Sequence, residues 1–496
     1  MLVTRTRHSA FRREKVPVPC RIFSLAVPVL LILSAGGVPL RAQANPTSAA
    51  NPFYGSVTAH PVTDEALQLS LDDAVHRGLE NNLGLKEAEN AEKAIQGQKL
   101  QALQQFLPTI TLTADSGFYQ HNLAAQGFGP GLIGQFAKLF PGGMPAGFSF
   151  ITRDTLTEGQ LHFNQILFSG PVIAGWRAAG AATRAAYFGR MSARGEVVQQ
   201  VASAYLHAIA AASEVENAQS LLQSDQVQLN HAHEEHAAGT ASNLDELRAR
   251  VQLQAQQQAL ISAQATFEKD LILLKREIGV DPGQKVVLTD RAPYGELAAD
   301  TPEEVRAVAY KNRQDYQNLQ NQLVELKAVH GAYRSQRLPT LSFNGNYGIT
   351  DVGGVGSHGT FVAMGTLSVP IFREARLRGD VESSQAQLDA ATSQLTDLRG
   401  RIDQQVRSAL LDVSASAKLV EVARSNVELA TRALADETDR VNAGVDDNLP
   451  LVTAQATLAN AQSNFVESLY QYNLSKLVLA RAAGILEQQY RVYLGK

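Results

Sequence analysis

The chain has 496 residues, 44 Lys+Arg against 48 Asp+Glu, and a single cysteine, Cys20. An acidic balance argues against nucleic acid as a partner, and one cysteine excludes a disulfide framework within the chain. The charge asymmetry sharpens once the first residues are read as a leader. Arg5, Arg7, Arg12, Arg13, Lys15 and Arg21 precede an apolar run from Ile22 to Leu33, and Ala42-Gln43-Ala44 follows it. That order predicts a secretory signal peptide over residues 1–44, because a dozen apolar residues are too few to span a ~30 Å hydrocarbon core. Cys20 lies before the apolar run, so it is expected to leave with the leader and not to carry a lipid. Removing residues 1–44 takes away seven basic residues and one acid, which leaves 37 Lys+Arg against 47 Asp+Glu in the exported chain.

Residues 45–68 contain Pro46, Pro52 and Pro61 and read as an irregular lead-in. Ser70-Leu71-Asp72-Asp73 then opens a helix with a capping pattern, and Thr301-Pro302-Glu303-Glu304 repeats the device. Each helix is expected to run until just before a proline, Pro108 in one case and Pro339 in the other. After each proline the apolar period changes from 3.6 to 2. Ile110, Leu112, Ala114, Ser116 and Phe118 alternate with polar residues, as do Leu341, Phe343, Gly345, Tyr347 and Ile349. Strands are therefore expected over about 109–120 and 340–350, with return strands over about 156–168 and 360–371. These lengths and this dyad pattern suit transmembrane β-strands, which need ~9 to 11 residues. The exported chain has no apolar 18-mer, so a membrane form requires a barrel, and four strands are too few to close one. Several chains must pool their strands. The glycine- and proline-rich residues 121–155 form a long loop between the first two strands.

Very long helices are expected over about 172–238 and 375–443. Val201, Ala208, Val215, Leu222, Leu229 and His236 fall at sevenfold spacing, and a shift of 205 residues places them on Val406, Val413, Val420, Val427, Leu434 and Val441. The same shift relates Gly239 to Gly444, Asn243 to Asn448, Leu244 to Leu449 and Gly279 to Gly484. Leu107-Pro108-Thr109 and Leu338-Pro339-Thr340 correspond at a shift of 231. This is an internal duplication: one repeat over 69–279, a linker over 280–300, a second repeat over 301–484 and a tail over 485–496.

Two repeats, each with a helix, a Leu-Pro-Thr strand entry, a hairpin, a long helix, a glycine turn and a returning helix, resemble the TolC-type outer-membrane efflux proteins. The resemblance covers essentially the whole exported chain. It implies a mainly α fold with a membrane β-barrel part, in which a homotrimer pools four strands per protomer into a twelve-stranded barrel above an α-helical periplasmic tunnel. It further implies a passive outer-membrane duct for multidrug or metal efflux, with a periplasmic adaptor and an inner-membrane transporter as partners and outer-membrane lipid around the barrel. The second turn looks most like members serving pumps of the resistance-nodulation-division class. By similarity the adaptor docks at the two turns, through Gly239, Thr240, Asn243 and Leu244 and through Gly444, Val445, Asn448 and Leu449. Asp446 and Asp447 are the candidate acids of the pore mouth, or else helix N-caps. Relatives carry gate aspartates where this chain has Pro450 and Thr453. No cofactor is expected. His231, His233 and His236 beside Glu234 and Glu235 invite a metal reading, but they match no zinc motif and no metal site is assigned to them. No phosphate-binding glycine loop, nucleophile elbow or HExxH motif points to an enzyme. The alternatives are a periplasmic adaptor or coiled-coil scaffold without a pore, and a secreted enzyme for which no residues can be nominated.

Overall fold

The computed structural model describes residues 50–57, 61–122, 125, 151–239, 242–290, 295, 297, 301–443 and 448–494, and every structural statement below concerns these. The expected signal peptide and most of the loop 121–155 lie outside them.

The chain opens its first helix, α1 (Leu71–Asn81), at Ser70, whose hydroxyl accepts from the Asp73 amide at 3.1 Å and donates to the Asp73 carboxylate at 2.6 Å. The expected single helix up to Pro108 is in fact two. Asn82 is extended, with φ −63° and ψ 131°, and its side chain accepts from the amides of Gly84 and Leu85 to start α2 (Leu83–Gln104). Asparagine competes for backbone donors in this way, and the pair Asn81-Asn82 converts a helix interior into a junction. The second repeat breaks at the equivalent place. Helix α5 (Pro302–Asn312) begins with a full capping box at Thr301 and Glu304, and α6 (Gln314–Ser335) follows the extended residue Arg313.

The long helices form as their pattern requires. Helix α3 (Gly170–Ala237) has 68 residues, with a proline in its first turn, and returns as α4 (Asn243–Ile278). Helix α7 (Glu374–Asn442) has 69 residues and returns as α8 (Asn448–Ala482). At 1.5 Å per residue, α3 and α7 each reach about 100 Å. In α7 the buried positions Ile402, Val406, Ala409, Val420, Ala423 and Ala430 make a continuous seam, with Val413, Val427 and Leu434 half-buried between them. The first repeat differs. Val201 and Ala208 are buried, but farther out the fully covered line is Ala218, Asp225 and Ala232, while Val215, Leu222 and Leu229 are half-buried beside it and His236 is exposed.

The lead-in, expected to be irregular, and the linker both contain structure. Strand β1 (Leu67–Leu69) lies in the lead-in and pairs in parallel with β4 (Val286–Leu288) in the linker. Three-residue strands have too little pattern to stand out in sequence, and pairing across more than 200 positions selects them. The Tyr205 hydroxyl sits 2.9 Å from the Leu69 carbonyl and 3.0 Å from Asp290, which also accepts from the Leu71 amide at 2.8 Å. The tail likewise folds, as α9 (Leu486–Tyr493), with Tyr490 and Tyr493 buried. These pieces wrap the waist, where Val197, Tyr205, Ile278, Ile402, Leu477 and Leu494 share one core. Lys476 is fully buried there, its ammonium 3.1 Å from the Gly295 carbonyl and above the Tyr472 ring, and burial pulls its pKa down to about 8.

At the far end lies a four-stranded antiparallel sheet in the order β2 (Thr109–Asn122), β3 (Ile151–Phe168), β5 (Thr340–Val352), β6 (His358–Ser368). Pro108 and Pro339 stand immediately before β2 and β5, as expected. Strand β3 starts at Ile151, earlier than about 156, because it pairs with β2 along its whole length, up to Asn122 opposite Ile151. Strand β6 runs from His358 to Ser368 and stops short of the expected 371, since Pro370 has no amide to donate.

Candidate functional site

Two features of the protomer can do work on a partner: the sheet and the hairpin tips. In the sheet, register converts alternation into two faces. Leu112 stands opposite Leu161, Tyr347 opposite Phe361 and Leu341 opposite Leu367, and the rings of Phe163 and Phe343 meet edge to face at 5.6 Å. This face is uncovered, with Leu112 73% and Phe361 71% exposed. On the opposite face Thr113 meets the His162 ring at 3.0 Å, Asn346 donates to Gln160 at 2.6 Å and Thr350 donates to Glu158 at 3.2 Å. Asp115 lies in register with Glu158 on that same polar face. The outer strands β2 and β6 each have one partner, so the sheet ends in two open edges that call for further strands. No described helix is long and apolar enough to cross a membrane.

At the other end of the molecule, the Ala238 amide bonds back to the Glu234 carbonyl and the Gly239 amide to that of His236, and Gly239 takes φ 74°. A left-handed residue just past a helix C-terminus is where glycine fits without steric cost. Helix α4 then starts with a capping box that the sequence analysis missed. Ser242 accepts from the Asp245 backbone amide and gives both its hydroxyl, at 2.6 Å, and its amide, at 3.3 Å, to the Asp245 carboxylate. The hydrogen bond from Ser242 is the main cause holding that carboxyl below the usual range, with Arg248 adding to it. The Ser242-Asn243-Leu244-Asp245 spacing is the same signal as at Ser70 and could have been read. Asn243 is thus the first residue of the helix and not its cap, and Leu244 is exposed beside it.

Thr240, Gly444, Val445, Asp446 and Asp447 lie outside the described residues. Asn448 begins α8 and Leu449 follows it in the same helix, but their side chains are also outside the described set. Pro450 sits in the first turn of α8, where a proline costs no helical hydrogen bond, and Thr453 is exposed one turn on.

The described acids near the tips are different ones. Glu246 is buried between His233, at 3.3 Å, and Arg250, at 2.9 Å. Asp225 in α3 and Glu437 in α7 occupy seam positions, and each leaves one carboxylate oxygen covered and without a hydrogen-bond partner. Burial raises the Asp225 pKa against a hydrogen bond from Gln252. An acid at a heptad position was the signal available for both. His231 lies 3.5 Å from Glu235, and no group of three or more metal-ligating side chains gathers among the described residues.

Residues 74–280 and 305–485 match the profile of the outer membrane efflux protein family, which is more than half the chain. The chain belongs to the outer membrane efflux protein family. Nodulation protein T of Rhizobium leguminosarum bv. trifolii is 23% identical over 343 residues, covering 67% of this chain and 72% of that one. The probable efflux pump outer membrane protein TtgC of Pseudomonas putida is 24% identical over 310 residues, covering 60% of this chain and 62% of that relative's length. In structure, the CmeC outer membrane channel of Campylobacter jejuni matches with a TM-score of 0.71 at 17% identity, over 88% of this chain and 92% of that one.

As a member of this family the efflux protein resides in the outer membrane of a Gram-negative bacterium, with its helices in the periplasm. It is an outer-membrane channel subunit of the tripartite efflux and secretion type. Its four strands and long paired helices have the fold of such outer-membrane channels. Such channels act as trimers with adaptor and inner-membrane pump partners.

Proposed function

We propose that this efflux protein is a passive exit duct, docked at its hairpin tips by a periplasmic adaptor and fed by an inner-membrane transporter of the resistance-nodulation-division class. The observation that carries this reading is the joining, in one protomer, of an amphipathic four-stranded sheet to two helices of 68 and 69 residues whose turns lie at the end away from the sheet. A scaffold or adaptor without a pore has no use for the uncovered apolar sheet. Residues 69–279 and 301–484 act as two repeats of one unit, joined at the waist by the β1–β4 pair. The adaptor contacts comprise Gly239, Thr240, Asn243 and Leu244 in the first repeat and Gly444, Val445, Asn448 and Leu449 in the second. Asp446 and Asp447, repeated by threefold symmetry, draw cations to the pore mouth. The duct catalyses no reaction, and the free energy for transport comes from the pump.

The first experiment is to express the chain with its leader, extract the outer-membrane fraction in detergent and compare heated with unheated samples, alongside the native mass of the complex. A heat-sensitive species of three chains is the expected result. A soluble periplasmic monomer or dimer overturns the duct and leaves the scaffold. If the trimer forms, crosslinks placed at Leu244 and Leu449 should capture an adaptor; capture only at residues near the sheet would refute the docking assignment.

A further inference from the structure

All four junctions between strand and helix fall at one end of the sheet: α2 enters β2, β3 leaves into α3, α6 enters β5 and β6 leaves into α7. The sequence stretches around these junctions, residues 98–108, 169–177, 328–339 and 369–380, hold seven Lys+Arg and only two acids. The chain beyond its leader has the opposite balance. The two acids are already engaged. Glu374 accepts from Arg337 and from Arg378, each at 2.9 Å, and Asp380 lies 3.9 Å from Arg376. Lys99 stands over the Trp176 ring, 5.6 Å from its centre. Arg177, Arg334 and Arg373 are exposed and have no ion pair among the described residues.

The same junctions carry apolar side chains in the open. Ile371 is 95% and Phe372 90% exposed, and Leu107 and Leu338 are exposed at the entries to β2 and β5. Ile371 continues in sequence the odd-numbered apolar series Phe361, Ala363 and Leu367 of β6, three residues after the strand ends at Ser368. The membrane-facing side of the sheet therefore passes directly into a belt where apolar groups and arginines alternate within a few residues. Arg376 and Arg378 are in the first two turns of α7, about 3 to 6 Å along the axis from its start. That is within the ~10 Å reach of surface charge at ordinary ionic strength. Arginine stems lie along apolar surface while their guanidinium groups bond phosphate oxygens in pairs. Threefold repetition concentrates this positive charge into a ring that the protein's own carboxylates do not balance.

We propose that this collar binds anionic phospholipid headgroups in the periplasmic leaflet of the outer membrane. The uncovered apolar sheet fixes the place of the lipid, and the charge excess fixes its sign. Clusters of basic residues beside a membrane-spanning part select anionic lipids by this mechanism. The inference rests on the sheet spanning the membrane.

Trp176 is the sole tryptophan and lies inside the collar, so it reports directly. The purified full-length trimer is reconstituted into phosphatidylethanolamine vesicles holding equal mole fractions of either brominated phosphatidylglycerol or brominated phosphatidylethanolamine. Quenching of Trp176 by the anionic lipid should exceed that by the zwitterionic one several-fold. The excess should vanish in 0.5 M salt and in the triple variant Arg177→Gln, Arg334→Gln, Arg373→Gln, and should persist when the same three are changed to lysine. Equal quenching by the two lipids, or a preference indifferent to salt, overturns the proposal whether or not the triple variant assembles. Failure of the wild-type chain to insert as a heat-sensitive trimer would instead refute the membrane placement of the sheet.

Discussion

Gly484, at the end of α8, lies with φ 75° against the backbone of Arg313, the extended residue between α5 and α6. A Cβ at Gly484 would stand 2.7 Å from the Arg313 nitrogen and 2.8 Å from its Cα. The glycine is needed twice over, for its left-handed conformation and for the absence of a side chain. Changing Gly484 to Ala is expected to cost about 2 to 4 kcal/mol, since the strained conformation and the displaced backbone add. Gly239 provides the control. It shares the positive φ, at 74°, but nothing among the described residues lies within 4 Å of its Cβ position. Gly239→Ala should cost only about 1 kcal/mol. Thermal unfolding of the two variants in detergent checks the order, and equal losses would refute the packing argument.

Glu277 sets a pH dependence at the waist. Burial raises its carboxyl from 4.5 to about 8, against a hydrogen bond from Gln200 at 2.9 Å. Between those two values the folded state holds a proton that the unfolded state has released. Stability is therefore fully present below about pH 4.5, falls as pH rises toward about 8 and levels off beyond it. The Glu277→Gln variant should match the wild type near pH 4.5 and exceed it near pH 8.5 by on the order of 4 to 5 kcal/mol. Denaturant midpoints measured across this range decide it; parallel curves for the two proteins would show that Glu277 does not titrate in that window.

The Tyr205 hydroxyl ties β1 and Asp290 to α3, and these segments lie far apart in the chain. Replacement by phenylalanine keeps the packing but removes the hydroxyl that donates to the Leu69 carbonyl and to Asp290, leaving that carbonyl its bond from the Thr289 amide at 3.0 Å. A loss of about 1 to 2 kcal/mol is expected. Protease cleavage within residues 280–300 should quicken in this variant, because β4 is held by the same contacts.

The two faces of the sheet make opposite predictions for adjacent residues. Leu112→Arg places a charge among lipid tails and should cost about 2 to 4 kcal/mol near the bilayer centre. Thr111 points to the polar side, in register with His162, and Thr111→Arg should leave assembly nearly unchanged. The yield of heat-sensitive trimer in the outer membrane measures both, and the reverse order would invert the assignment of faces.

Much of this molecule was legible in sequence because its signals are long or repeated. Dozens of residues without proline, a sevenfold apolar series and a shift of 205 positions predicted α3, α7 and their returning partners, and strict alternation after Pro108 and Pro339 predicted the sheet. Local chemistry likewise foretold Gly239, because a helix end that must reverse needs a residue free to take positive φ. What escaped had weak local signal or was decided by distant partners. The Asn82 and Arg313 junctions interrupt stretches whose apolar period continues across them. Strands β1 and β4 are three residues each and exist by pairing with one another. Helix α9 forms where Tyr490 and Tyr493 find the waist core, and Asp225 is buried only because α4 returns along α3. Periodicity records which face of an element is apolar, and that is local to the chain. What covers that face depends on which other segment arrives there, and tertiary packing alone decided it.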